Sequence, residues 1–268
     1  MRRQLQDRVV IISGAGGGLG RALALRFASA GSRLALLDRD AAAVTSVAAE
    51  LRAMGAQALA LACDVTDEAA CRSCVAATLE RFGAIDVLVN NAGITHRSGF
   101  ADTRTDVLRR VIEVNLFGAL YLTHAALPDL RRSRGLIVVL SSVAGFTPLI
   151  ARTGYAASKH ALHGLFESLR TELEAEGVGV LMVCPSFIAT GIDRNALGPT
   201  GDRAAHAQVT VGRRLQAEGV AERIVRAARR DRRLLLLGGT ARASWWLSRL
   251  APGLYAAIMA RRLRDEMG

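Results

Sequence analysis

Tyr155 and Lys159 stand four residues apart, in the segment YAASK, within a stretch of helical spacing. Residues i and i+4 share one face of a helix, so phenol and ammonium are neighbours there. A tyrosine phenol titrates near about 10, and an adjacent ammonium favours the phenolate and lowers that value. Such a pair is a general acid/base that can pass a proton to or from an alcohol oxygen while a hydride moves. A Tyr–Lys pair at this spacing also arises by chance on ordinary helices. The composition weighs against chance, because Lys159 is the only lysine among 35 basic residues and every other one is arginine. A compact ammonium is thus kept at a position where a planar guanidinium does not substitute for it. Ser142 ends an apolar run in VVLSSVAG, and a hydroxyl at a strand end can hydrogen-bond a carbonyl or alkoxide. Ser141 is the alternative, since alternation turns only one of the two toward a cleft. Asn115 lies inside a helical segment, EVNLFG, where asparagine either bends the helix or hydrogen-bonds a neighbour.

A second cluster lies near the start of the chain. The apolar run VVIIS leads into SGAGGGLG, Ser13 to Gly20. Gly14, Gly18 and Gly20 allow a tight turn and close approach of backbone N–H groups to a pyrophosphate, with Leu19 beside it on a helix that starts near Gly18. The next apolar run ends in Leu36-Leu37-Asp38. An acid there accepts both hydrogen bonds from an adenosine ribose and repels a 2′-phosphate, which favours NAD over NADP. Arg39 follows at once. It either stacks on adenine, accommodates a 2′-phosphate or is solvated, so NADP stays open.

These groups need a scaffold, and the rest of the pattern supplies one. Short continuous apolar runs, at Val9–Ser13, Leu34–Asp38, Ala58–Asp64, Val87–Asn91, Gly135–Ser142, Val178–Pro185 and Leu234–Gly238, read as buried parallel strands. Helical spacing fills the gaps, for example over Leu19–Ala30, Ala41–Met54, Asp67–Phe82, Thr105–Arg132 and Thr153–Glu176. The alternation predicts an α/β fold, a Rossmann-type doubly wound parallel sheet of about seven strands with helices on both faces. The 268 residues, 51% hydrophobic and 4% aromatic, suit a single NAD(P)-binding domain over 1–268. Residues 240–268 read as an amphipathic C-terminal extension. Trp245, Trp246, Leu250, Leu254, Ile258 and Met259 form its apolar side, Arg242, Arg249, Arg261 and Arg262 frame it, and Pro252-Gly253 breaks it into two helices.

Neither a signal peptide nor a membrane-spanning run of about 20 apolar residues is expected. Cys63, Cys71, Cys74 and Cys184 do not make a disulfide framework, which points to a reducing, cytoplasmic setting. Cys71 and Cys74 form a CxxC inside a helical stretch without a second ligand pair, and read as two residues one turn apart rather than as a metal site. The formal net charge is +11, concentrated in residues 201–268. No zinc-finger spacing or RNA-binding aromatic signature accompanies it, so nucleic acid is not the expected partner.

Together these features resemble the short-chain dehydrogenase/reductase family in its shorter, single-domain form, over about residues 7–240. Gly14, Gly18 and Gly20 fit its GxxxGxG loop, Asp64-Val65 its adenine-contacting pair, and Asn90-Asn91-Ala92-Gly93 its NNAG motif. Asn115, Ser142, Tyr155 and Lys159 fit its catalytic tetrad, Ser142 being chosen over Ser141 for its spacing of 13 residues from Tyr155. Pro185 to Thr190, with Ile188, fits the segment that holds the nicotinamide amide. Ser13 stands where the family usually has Thr, and Ser186 where Gly is common. The resemblance implies hydride transfer between NAD(H) and an alcohol or ketone, a proton relay from Lys159 through Asn115 and a water, and a homodimer or homotetramer formed through the helices beginning near Thr105 and Thr153.

The loops above the strand ends offer Ile94, Thr95, His96, Phe146, Leu149, Ile150 and Phe187. They suggest a lipophilic small-molecule substrate such as a steroid-, retinoid- or long-chain-like alcohol or ketone. An isolated loop histidine such as His96 is ordinarily solvated. The basic C-terminal extension fits peripheral contact with an anionic membrane, a cap over the pocket, or an oligomer interface. A protein that senses NAD(H) without turnover is the competing class. An epimerase or dehydratase, which can share the Tyr–Lys pair, would call for a larger substrate domain.

Overall fold

The computed structural model describes residues 3–205 and 214–262. In chain order the elements are β1 (Val9–Ser13), α1 (Gly18–Ser29), β2 (Arg33–Asp38), α2 (Ala41–Ala53), β3 (Ala58–Ala62), α3 (Glu68–Phe82) and β4 (Val87–Asn90). Next come α4 (Thr105–Ile112), a π-helical turn over Glu113–Phe117, α5 (Gly118–Ser133), β5 (Leu136–Leu140) and α6 (Thr153–Leu173). The chain continues through β6 (Gly179–Pro185), β7 (Ile188–Ala189), β8 (Leu215–Gln216), α7 (Ala217–Arg229), β9 (Leu234–Leu237), α8 (Gly239–Leu250) and α9 (Pro252–Arg262).

Seven parallel strands pair in the order β3-β2-β1-β4-β5-β6-β9, and β7 pairs with β8 apart from them. The continuous apolar runs have their cause here, since both sheet faces are covered. Along β1, Val10 and Ile12 join the core beneath α1, α2 and α7, while Val9 and Ile11 join the core beneath α3, α5 and α6. Each such side chain, fully buried, contributes roughly 1.5–3 kcal/mol. Side-chain caps start α2 and α3: Asp40 accepts from the Ala43 N–H on α2, and Asp67 from the Ala69 and Ala70 N–H groups on α3. Strand order reverses between β1 and β4, so the crevice at the carboxyl ends of these strands is where a doubly wound sheet binds its ligand.

No spanning segment is expected from the sequence, yet one described helix, Thr105–Ser133, is long and apolar enough to cross a membrane by length and composition, with a mean hydropathy of 1.2. In the fold it lies along the sheet, with Leu122, Ala126 and Leu130 buried. The CxxC pair faces inward from α3. Cys71 and Cys74 pack beside Cys63, and the Cys71 thiol together with burial, opposed by Cys74, pushes the Cys63 thiol up to about 12.

Candidate active site

A cleft of about 1090 Å³ opens at the carboxyl ends of the strands. Its floor at one end is the glycine loop. Gly14 and Gly18 have φ of 64° and 52°, and a Cβ on Gly20 would collide with the Gly14 carbonyl oxygen. That contact lets α1 start hard against the loop. No side chain caps α1 and no acid occupies its first turn, so its leading N–H groups border the cleft unblocked beside Gly17, Gly18 and Leu19. Asp38, at the end of β2, reaches the same wall. One carboxylate oxygen accepts from the Gly16 N–H (2.9 Å) and the other from the Asp40 N–H (3.0 Å). Arg39, Asp64 and Val65 complete this end. The Thr66 N–H and hydroxyl hold the Asp64 carboxyl below the usual carboxylate range, helped by Arg39 and Arg110 and opposed by burial.

Asn91, Ala92 and Gly93 line the middle of the cleft. Ser13 does not. It is buried behind them, where its Oγ accepts from the Asn91 and Ala92 N–H groups (3.0 Å each) and donates to the Val89 carbonyl (3.3 Å). Asn91 answers with Nδ2 donated to the Ser13 and Gly14 carbonyls (2.9 and 3.0 Å). Ser13 therefore welds the NNAG turn to β1 rather than bordering the cleft itself.

Ser142, Tyr155 and Lys159 come together at the other end, with Pro185, Ile188 and Thr190 facing them across the cleft. The Ser142 hydroxyl stands beside the Tyr155 phenol and accepts from the Ala144 N–H (3.2 Å). Lys159 is 5% exposed. Its Nζ lies 5.6 Å from the centre of the Tyr155 ring and donates to the Leu140 carbonyl (2.7 Å). Burial pushes the ammonium down to about 8. The expected fall of the Tyr155 pKa is not what the structure holds. Burial raises the Tyr155 pKa, and the Ser142 hydroxyl and Arg152 counter it only in part. The reason is that desolvation penalises the phenolate more than these groups reward it.

Asn115 sits behind the wall. The π-helical turn aims its side chain at the loop after β4, where Oδ1 accepts from the Ile94 N–H (2.8 Å) and Nδ2 donates to the Ile94 carbonyl (3.0 Å) and to Ser158 Oγ (2.9 Å). Local widening of this kind recurs at functional sites. Gly93 keeps the space between Asn115 and Lys159 clear, for a Cβ there would meet Asn115 Oδ1 at 3.1 Å and Lys159 Nζ at 3.7 Å.

His96 corrects the expectation of a solvated loop side chain. It is 0% exposed. Its Nε2 accepts from the Gly154 N–H (3.0 Å), in the first turn of α6, and its Nδ1 faces Ser98 Oγ (3.4 Å). The same loop bonds Ala151 through the Ser98 N–H (3.1 Å) and bridges to Leu197. His96 thus fixes the turn that carries Tyr155, one residue away. Burial and nearby Arg152 hold it neutral, pushed down to about 4. A histidine at about 4 when folded and 6.5 when unfolded keeps its full contribution above pH 6.5 and loses it as the pH falls toward 4. That loss amounts to about 3 kcal/mol. The variant His96→Gln keeps an acceptor without the charge, so its stability, measured by urea unfolding, should decline less between pH 6.5 and 4 than wild type's.

Of the loop residues expected to meet substrate, Ile94, Thr95, Leu149 and Phe187 line the cleft, and Phe146 does not. Phe146 instead holds α8, its ring 4.8 Å from that of Trp245 in an edge-to-face contact. Ile150 is also off the wall. Unforeseen in the sequence are the buried Arg152, Asp193 on the loop after β7, and Tyr255 of α9, while Met259 of α9 reaches the cleft as the pocket-capping use of the extension would have it. Arg152 and Asp193 carry no local sequence signal, and the amphipathic segment that holds Tyr255 left membrane, pocket and oligomer interface open as its target.

A protein-family model described as short chain dehydrogenase matches residues 8–199. The chain belongs to that family. Dehydrogenase/reductase SDR family member 7B of Bos taurus is 37% identical to this short-chain dehydrogenase over 274 residues, covering 99% of the chain and 84% of the relative. Dehydrogenase/reductase SDR family protein 7-like of Anopheles gambiae is 36% identical over 267 residues, covering 97% and 84%. Among solved structures, a short chain dehydrogenase/reductase from Burkholderia phymatum in complex with NAD superimposes with a TM-score of 0.84 at 28% identity, covering 94% of this chain and 96% of that one.

Proposed function

We propose that this short-chain dehydrogenase/reductase exchanges a hydride between NAD(H) and a lipophilic secondary alcohol or ketone, with Tyr155 as the general acid/base. The observation that carries the reading is that Ser142, Tyr155 and Lys159 line the same cleft that the glycine loop and Asp38 enter. The residues fit a dinucleotide. The uncapped start of α1 suits a pyrophosphate, the Gly20 contact leaves no room for a side chain beneath it, and the Asp38 carboxylate suits a ribose diol. NAD supplies or accepts the hydride when bound. Ser142 donates to the substrate oxygen, Tyr155 gives or takes that oxygen's proton, and Lys159 offers an ammonium to the ribose and to the proton path. Asn115, whose side chain is fully engaged with Ile94 and Ser158, holds the relay's far end in place.

Ile94, Leu149, Phe187, Ile192, Leu197 and Met259 give the substrate end its apolar walls, which supports a lipophilic substrate. Turnover is followed at 340 nm with NAD+ and NADP+ across secondary alcohols that include steroids, retinol and fatty alcohols. Fastest turnover on small polar sugars would discard the lipophilic reading, and NADH binding without turnover on any alcohol would favour a sensor.

Arg39 on the cleft wall beside Asp64 supports NADP(H) as the second reading. Asp38 decides between them. Asp38→Asn keeps an acceptor for the Gly16 N–H and removes the charge, so the NAD+ to NADP+ ratio of kcat/KM should fall by about tenfold or more, each tenfold being about 1.4 kcal/mol. An unchanged ratio would show that Asp38 does not read the ribose.

The same reading treats 1–268 as one cytoplasmic, NAD(P)-binding domain, with residues 240–268 as an extension that contacts membrane. Residues 263–268 and the Arg262 side chain lie outside the described residues. The four free cysteines support a reducing setting. A homodimer or homotetramer through the outer faces of α4, α5 and α6 completes it.

A further inference from the structure

The extension does not present one apolar side. Trp245 turns inward onto Phe146, with the Arg249 guanidinium stacked 3.2 Å above its ring. Thr240 and Ser244 of α8, and Tyr255 and Met259 of α9, line the substrate cleft. Trp246, Leu250 and Leu254 turn outward and are 63%, 79% and 56% exposed. These three belong to the five large apolar side chains exposed among the described residues. Trp246 and Leu250 stand one turn apart on α8, and Leu254 lies in the first turn of α9 beyond the non-helical Ala251. One pair of helices thus has a cleft wall on its inner face and an apolar ridge on its outer face.

Charge identifies what the ridge meets. Residues 239–262 hold Arg242, Arg249, Arg261 and Arg262 and no acidic residue, and no Asp or Glu occurs between Asp231 and Asp265. A second copy docked ridge to ridge by a two-fold axis would oppose two sets of arginines with no carboxylate to offset them. An anionic lipid surface meets both features, since Trp and Leu enter the headgroup boundary while Arg pairs with phosphate.

We propose that α8 and α9 dock this protein on the surface of an anionic bilayer through Trp246, Leu250 and Leu254, so that the cleft wall they also form lies next to the lipid. The docking itself stands apart from the catalytic reading. Delivery of a lipophilic alcohol or ketone from the bilayer to the cleft rests on that reading.

The test is flotation of the full chain with phosphatidylcholine vesicles, with and without about one-third phosphatidylserine. Wild type is expected to float with the anionic vesicles, to bind the neutral ones at least tenfold more weakly, and to release as salt is raised, because surface charge is screened within about 10 Å at 0.1 M. The double variant Trp246→Ser/Leu250→Ser should lose at least tenfold in anionic binding. It should keep wild-type turnover of a small water-soluble alcohol in vesicle-free buffer, since neither residue lines the cleft. In a Trp245→Phe background, the remaining Trp246 fluorescence should shift to the blue on anionic vesicles. Several results overturn the proposal: no flotation, equal binding to both vesicles, a double variant that floats like wild type, or a vesicle-blind wild type whose dimer the double variant dissociates in sedimentation. Flotation without turnover keeps the docking surface and removes the catalytic reading, whereas turnover without flotation does the reverse.

Discussion

Tyr155→Phe is expected to lower kcat/KM by about 10²–10⁴-fold while NADH affinity stays at the wild-type level. Only the hydroxyl is removed. The ring still packs where it did, and Ser142 still accepts from the Ala144 N–H. Steady-state rates at 340 nm together with a fluorescence titration of NADH separate the two effects, and a mutant that turns over near the wild-type rate would remove Tyr155 from the proton path. The pH profile adds a sign. Because burial raises the Tyr155 pKa, the phenol is protonated at neutrality. Ketone reduction, which draws on the protonated form, should hold across neutral pH and fall as the phenol ionises. Alcohol oxidation, which needs the phenolate, should rise over the same range. Identical profiles in the two directions would mean that another group limits both.

Lys159→Met is expected to abolish efficient turnover and to stabilise the fold. The ammonium is buried and titrates near 8 rather than 10.5, so the folded state holds its proton less well than the unfolded chain. The penalty of about 3 kcal/mol is present in full below pH 8 and disappears as the pH rises toward 10.5. Methionine fills a similar volume without charge. It leaves the Leu140 carbonyl without the Lys159 donor, a loss of about 1 kcal/mol. The net gain of about 2 kcal/mol corresponds to a rise in Tm of roughly 4–8 °C near neutral pH, shrinking in alkaline buffer. Calorimetry at pH 7 and pH 10 reads this directly. A variant that melts below wild type at both would show that the ammonium is a net stabiliser. A gain in stability at the loss of activity is the trade expected where a strained, functional charge sits in a core.

The strands were legible because burial on both faces leaves no polar alternation to confuse them. Runs such as Val9–Ser13 and Leu136–Leu140 appear in the structure nearly as their composition marks them. The glycine loop was legible for a related reason, since the contact between Gly20 and the Gly14 carbonyl admits no side chain. Lys159 stood out by composition alone. The π-helical turn was not legible, because Thr105–Ser133 has one unbroken helical pattern and the widening serves a partner, Ile94, on another element. Nor was the inward turn of Trp245 away from Trp246, which Phe146 imposes from about a hundred residues away in the chain.

Side-chain type, period and spacing therefore carried the parallel sheet, the phosphate-sized turn and the chemical character of the acid/base pair, all of which arise within one or two adjacent elements. Three-dimensional packing was needed to bury His96 against the start of α6, to draw Ser13 and Asn115 behind the cleft wall, to raise the Tyr155 pKa where a neighbouring ammonium alone would lower it, and to split the C-terminal helices between cleft and surface. Those outcomes depend on desolvation and on contacts between segments tens of residues apart, and neither quantity is a property of any local stretch of chain.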